Sequence, residues 1–122
     1  MIMVVDDDEP IRNSLRLLLM GEGYQVETAS DGGDALKKLG IVKPKVILLD
    51  IMMTPIDGLA FLKTLKEKGL QKNYAIFVMT AMTGIVDELK EMQSKGIIRD
   101  FMIKPFVFSD RLLEEIHHIV TT

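Results

Sequence analysis

The sequence predicts an α/β fold in which five parallel strands alternate with five helices that cover both faces of one sheet. Two observations predict it. Apolar runs of strand length recur along the chain, and each is followed by a longer segment whose apolar residues have helical spacing. The connections are short, as in the right-handed strand–helix–strand units that build doubly wound sheets. A run without alternation, such as residues 46–49, is typical of a strand buried on both faces.

Local signals give the limits of these elements. Pro10 suits the first turn of a helix, where a missing N–H costs little, and Asp31 is a favourable N-cap. Residues 55–58, Pro-Ile-Asp-Gly, predict a turn. The predicted strands are residues 1–5, 24–28, 45–49, 75–79 and 97–103, and the predicted helices are residues 9–20, 31–39, 59–68, 83–94 and 109–120. In the first helix, the residues expected to face the sheet are Ile11, Leu15, Leu18 and Leu19.

Three carboxylates stand where apolar runs end. Asp6 and Asp7 follow the first run, and Asp50 follows the third. Ligands bind at the carboxyl ends of the strands in open α/β sheets, so the three acids share one small volume if these strands are neighbours. Neighbouring like charges disfavour the ionised form of each acid. Mg²⁺, which takes oxygen ligands, would offset the repulsion between the three carboxylates. The competing interpretation is that such acids cap helices or begin turns, and we favour it for Asp8.

Two further polar residues are predicted at the same edge of the sheet. Thr80 follows the fourth apolar run, and Lys104 follows the fifth and precedes Pro105. A hydroxyl and an ammonium beside a carboxylate–Mg²⁺ cluster suit a phosphoryl group, whose oxygens they can bind. Considered separately, Thr80 is also an ordinary strand residue and Lys104 an ordinary loop cation. His117 and His118, on the last helix, are expected to lie on the surface.

Composition narrows the classes of protein further. The 122 residues are enough for one domain with a core, and the net charge of -3 gives no basic footprint for nucleic acid. The absence of cysteine excludes disulfides and thiolate zinc sites and fits a cytoplasmic protein. No apolar run has the length of a membrane span, and the first run ends in acids rather than continuing as a signal peptide.

Five motifs occur in a characteristic order. They are Val-Val-Asp-Asp-Asp-Glu-Pro at residues 4–10, Leu-Leu-Asp-Ile-Met-Met at residues 48–53, Asp57-Gly58, Met-Thr-Ala at residues 79–81 and Lys-Pro-Phe at residues 104–106. Together they resemble the CheY-like receiver domain of two-component response regulators. The resemblance covers the whole chain. It implies the strand order 2-1-3-4-5 and a single receiver domain over residues 1–122 with no output domain in this chain.

The resemblance also implies the chemistry of the site. Asp50 would accept a phosphoryl group from a sensor histidine kinase in a Mg²⁺-dependent reaction. Asp6, Asp7 and Asp50, with the backbone carbonyl of Met52, would hold the ion, and Lys104 would bind the phosphate. Such a chain is a signalling domain and not an enzyme, although it catalyses its own phosphorylation and dephosphorylation.

A switch is implied as well. Thr80 and Phe101 would rearrange after phosphorylation and alter a surface formed by the fourth helix, the fifth strand and the fifth helix. The chain would form a homodimer or bind an output partner through this surface. We expect no direct contact between the chain and nucleic acid or a membrane. One departure from the family pattern is Thr54, which stands where the family commonly has proline and is followed by Pro55.

Two other functions compete with this interpretation. A phosphatase of the haloacid dehalogenase type also uses an aspartyl nucleophile after a strand, but it needs a second aspartate two residues later, where this chain has Met52. A pseudo-receiver would use the same fold as a binding module, and loss of Asp50, Asp7 or Lys104 would favour it. All three residues are present.

Overall fold

Five strands and five α-helices alternate in the computed structural model, which describes residues 1–51, 55–81, 83–103 and 110–122, with backbone only at 55–57. The strands are β1 (Ile2–Val5), β2 (Val26–Ala29), β3 (Val46–Asp50), β4 (Ala75–Thr80) and β5 (Asp100–Ile103). The helices are α1 (Glu9–Gly21), α2 (Gly32–Leu39), α3 (Pro55–Glu67), α4 (Val86–Ser94) and α5 (Asp110–Thr121). Short 3₁₀ helices at Gln71–Asn73 and Thr83–Ile85 precede β4 and α4.

The strands form one parallel sheet in the order β2-β1-β3-β4-β5. β1 pairs with both β2 and β3, so that Val5 lies opposite Ala29 on one side and Leu49 on the other. This confirms the predicted fold class and strand order. The residues that follow Val5 and Leu49 are Asp6 and Asp50, and the register therefore brings these two acids to adjacent positions at the same edge.

The core lies on both faces of the sheet, and β3 is therefore buried along its whole length. Ile47 and Leu49 pack with residues of α2, α3 and α4, whereas Val46 and Leu48 pack with residues of α1 and α5. Alternate side chains of a strand point to opposite faces, so an unbroken apolar run is what two covered faces require. The sequence pattern predicted this arrangement correctly.

The predicted inward face of α1 was wrong in part. Leu19 is fully buried and Leu15 packs against the same cluster, but Ile11 is 37% exposed and Leu18 is 43% exposed. Leu15 and Leu19 are four residues apart and share one face of the helix. Apolar residues on this helix extend around more of its circumference than the sheet covers, and periodicity alone cannot choose among them.

Several boundaries also differ from the predictions. Residues 55–58 form the first turn of α3 and not a separate turn, since proline is tolerated at the start of a helix. β5 begins at Asp100, and β2 begins at Val26. A 3₁₀ turn occupies 83–85, so α4 begins at Val86. β3 and β4 each extend one residue further than predicted, which places Asp50 and Thr80 inside their strands.

Candidate functional site

Three carboxylates meet at the carboxyl edge of the central strands. Oxygen atoms of Asp6, Asp7 and Asp50 all lie within 4.8 Å of one another. Asp6 is fully buried and Asp50 is 4% exposed, while Asp7 is exposed to solvent. The three acids therefore share one small volume, as predicted from the ends of the apolar runs, and the cluster has a buried floor and one solvent-facing side.

The backbone around Asp6 holds the acidic loop in place. Its amide N–H donates to the carbonyl of Ala29 at 3.1 Å, which continues the pairing of β1 with β2. Its Oδ1 accepts from the amide N–H of Asp8 at 2.9 Å. Its carbonyl accepts from Nη1 of Arg12 at 2.8 Å. Asp6 thus orients the loop through these hydrogen bonds in addition to contributing a carboxylate.

Arg12 is a residue that the sequence analysis missed. It is half-buried on α1, and it ties that helix to the residue that begins the acidic cluster. The available signal was its spacing, because residue 12 lies one turn after the cap at residue 8 and so faces back toward the loop.

Asp8 has the capping role that was predicted for it. Its Oδ1 accepts from the amide N–H of Ile11 at 3.1 Å, at the N-terminus of α1. The side chain is thereby engaged in satisfying an N–H that the helix leaves unpaired. The N-terminus of α1 carries partial positive charge, and it follows the acidic loop directly.

Thr80 and Phe101 lie on the two strands beyond β3. Asp50 is opposite Met79 in the register of β3 and β4, so Thr80 is one residue further toward the site edge, and it is fully buried. Phe101, on β5, is opposite Val78 and packs in part against the core cluster. Lys104 and Met52 lie outside the described residues.

Gly58 brings the start of α3 against the residue that follows Asp50. A Cβ atom at this position would lie 2.6 Å from Cα of Ile51 and 3.0 Å from its carbonyl oxygen. Real Cβ atoms essentially never approach backbone so closely, so only glycine fits. The sequence analysis noted Gly58 as part of a motif, but only the structure shows the reason for it.

The donor set fits a hard divalent cation. All three side chains of the cluster offer carboxylate oxygens, which Mg²⁺ prefers. Two of the carboxylates are buried, where water can screen their mutual repulsion less than it does at the surface. A bound cation would offset that repulsion, and the exposed side at Asp7 leaves a route for it to enter.

Comparison with known proteins defines the class of this chain. The family model for the response regulator receiver domain matches residues 2–117 of the sequence, and the chain belongs to that family. It is similar to the response regulator MprA of Mycolicibacterium vanbaalenii, with 35% identity over 111 residues, which is 91% of this chain and 46% of MprA. The chain thus spans about half the length of the curated relatives it matches.

Solved structures agree with the fold. The response regulator TrrA of Thermotoga maritima, solved in complex with Mg²⁺-BeF, is 32% identical with a TM-score of 0.77, over 97% of this chain and 96% of TrrA. A CheY-like receiver domain protein from Methanospirillum hungatei is 28% identical with a TM-score of 0.80, over 98% of this chain and 93% of that one.

Two smaller observations complete the comparison with the sequence analysis. His117 and His118 are exposed on α5, as predicted. Within the described part of the chain, no helix combines the length and the apolar character needed to cross a membrane.

Proposed function

We propose that Asp50 accepts a phosphoryl group from the phosphohistidine of a sensor histidine kinase in a Mg²⁺-dependent reaction. The observation that carries the proposal is the convergence of three carboxylates within 4.8 Å at the end of β1 and β3, in a chain of the receiver family. The similarity to TrrA, which was solved with Mg²⁺-BeF, supports it. The nucleophile would be a carboxylate oxygen of Asp50.

The transfer takes place in one step, in which one bond to phosphorus forms and another breaks. An oxygen of Asp50 forms a bond to phosphorus while the bond from phosphorus to the imidazole nitrogen of the donor breaks, and the electron pair of that bond stays with the donor. Asp6, Asp7 and Asp50, with the backbone carbonyl of Met52, would hold Mg²⁺. When bound, the ion would offset negative charge on the transferring group.

The other proposed site residues act on the phosphoryl oxygens. The Thr80 hydroxyl would donate a hydrogen bond to one oxygen, and the Lys104 ammonium would pair with another. Positioning and charge stabilisation account for most of the catalysis in phosphoryl transfer, so these residues need only be held in place. The burial of Thr80 in the strand beside β3 supports this role for it.

The switch follows from the added charge. The phosphoryl group carries about -1.5 to -2 charge and replaces the single charge of the Asp50 carboxylate, and Thr80 would move toward it. Phe101 lies on the neighbouring strand and is only half-buried, and it would turn inward behind Thr80. The surface formed by α4, β5 and α5 would change with it and bind an output partner or a second copy of the chain.

Mass spectrometry tests the acceptor. The chain is incubated with a small phosphodonor, with Mg²⁺ or with EDTA, and then digested. We expect a phosphoryl adduct only with Mg²⁺, on the peptide that contains Asp50, and none in Asp50→Asn. A stable adduct on Asp50→Asn would show that the acceptor is wrong, and no adduct on the wild-type chain would favour the pseudo-receiver.

A further inference from the structure

A second polar region lies at the opposite edge of the sheet, where β3, β4 and β5 begin. A cavity of about 650 Å³ is lined there by Lys45, Lys72 and Arg99, together with Gln71 and Tyr74. It shares no residue with the acidic cluster. Pockets that take small molecules commonly have volumes of about 300–1,000 Å³, so this one has the size for a nucleotide.

The backbone fixes the three cations beside one another. Lys45 directly precedes β3, Lys72 lies in the 3₁₀ helix that leads into β4, and Arg99 directly precedes β5. The Lys45 carbonyl accepts from the amide of Ala75 at 2.9 Å, and the Arg99 amide donates to the carbonyl of Ile76 at 2.7 Å. The three cations therefore line the cavity from the segments that lead into three neighbouring strands of the sheet.

The charged side chains that line this cavity are all cationic, although the chain as a whole is negative. None of the described residues that line the cavity has an acidic side chain. Arg99 pairs with Glu115 at 3.0 Å, and Nζ of Lys45 donates to the carbonyl of Val120 at 3.3 Å. These contacts hold two of the cations against α5. Among the described residues, no ion pair involves Lys72.

An adjoining cavity extends the positive region. It has a volume of about 630 Å³, shares Lys45 and Tyr74 with the first, and adds Lys43 and Lys68. Its described lining also has no acidic side chain. The tyrosine between the two cavities supplies an aromatic surface, which suits a ring system carried by an anion.

Gln71 supplies a second, independent observation. Its Oε1 is shielded from solvent and has no hydrogen-bond partner in the described part of the chain. Buried polar atoms are nearly always paired, and an unpaired one calls for an explanation. A turn of the side chain toward the cavity would let this amide meet a donor group on a ligand.

We propose that this cavity binds a phosphate-bearing small molecule of nucleotide size. The phosphates would lie among Lys45, Lys72 and Arg99, since charge-assisted hydrogen bonds to cationic side chains are the strongest that a phosphate can accept. The ring system would lie toward Tyr74 and the Gln71 amide. The site is independent of the acceptor chemistry at Asp50, because its residues and its ligand charge differ from those of the acidic cluster.

Titration of the ¹⁵N-labelled chain with ADP tests the proposal. EDTA is present, so that metal bound at the acidic cluster cannot recruit the nucleotide. We expect saturable shifts of the amide resonances of residues 71–75 and 96–99. Inorganic phosphate should bind the same residues more weakly, and adenosine should not bind. Adenosine binding as tightly as ADP, or shifts that do not saturate, would overturn the proposal.

Matched variants distinguish a specific binding site from general electrostatic attraction of the nucleotide to the surface. Lys72→Ala should weaken ADP binding about tenfold, the lower end of what a hydrogen bond to a charged group is worth. Lys66→Ala removes the same charge from an exposed residue of α3 that lines neither cavity, and it should bind ADP as the wild type does. Equal losses in the two variants would show diffuse charge attraction only. Lys72→Arg should keep most of the affinity, and the amide spectrum of each variant reports whether it is folded.

Discussion

Replacing Gly58 with alanine should destabilise the protein, although alanine is normally the better helix former. The new Cβ would lie 2.6 Å from Cα of Ile51 and 3.2 Å from its carbonyl carbon. Both are backbone atoms, and the Ile51 amide donates to the carbonyl of Met79 at 3.3 Å, which ties this residue to β4. The contacted atoms therefore cannot move aside as a flexible side chain would.

The magnitude follows from two opposing effects. Forcing an extra methyl group into a packed site costs about 1–3 kcal/mol, and contact with backbone places Gly58→Ala near the upper value. Alanine recovers about 1 kcal/mol through its higher helix propensity. The net loss in the free energy of unfolding should be about 2 kcal/mol. Since Ile51 adjoins Asp50, any shift that relieves the clash should also slow phosphorylation.

Urea denaturation of Gly58→Ala and Gly21→Ala measures this effect. Gly21 is also helical, but a Cβ there would meet no atom within 4 Å. Gly21→Ala should therefore leave the free energy of unfolding unchanged or raise it slightly. If Gly58→Ala proves as stable as the wild type, the reasoning from close approach is wrong.

Three further predictions concern charged residues. Asp7→Ala should weaken Mg²⁺ binding more than Asp8→Ala does, because Asp8 caps α1; equal losses in a metal titration would show that the metal has been misplaced. Lys104→Ala should still be phosphorylated but lose the phosphorylation-dependent spectral change, and a normal change would exclude the proposed role. Hydrogen bonding from the Ser30 amide lowers the pKa of Asp34, so its stabilisation is complete above about pH 3.9 and is lost as pH falls through the lowered value. Asp34→Asn should therefore reduce the urea midpoint at neutral pH, and its difference from the wild type should shrink as pH falls below about 3.9; a constant difference would contradict this.

The sequence predicted the features that depend on local chemistry. The caps at Asp8 and Asp31 were identified correctly, because a side chain that accepts from an N–H three residues later needs only the right local spacing. The acids at the ends of β1 and β3 were equally visible, since a charge ends an apolar run abruptly. The strand order came from the resemblance to a family and not from periodicity.

Features that depend on tertiary contacts were beyond the sequence. Ile11 and Leu18 were predicted to be core residues, but they are exposed because the sheet covers only part of the apolar surface of α1. The cavity left no local signal in the sequence. Lys45 and Arg99 directly precede β3 and β5, and residue 46, where β3 begins, is 53 positions before residue 99. Only the pairing of the strands brings these two cations near each other. The role of Gly58 depends likewise on a contact with another element.

The charges at the two ends of β3 also mark its position in the sheet. Val46 to Leu49 are apolar and buried on both faces, so alternation of polar and apolar side chains cannot define the register as it does in a half-exposed strand. A slip of one residue in one direction would draw Asp50 into the apolar interior, and a slip in the other would draw in Lys45, each at the cost of burying an unpaired charge. Asp50 therefore helps to secure the alignment of the strand that carries it, and a mispaired sheet is penalised by the same carboxylate that the proposed chemistry requires.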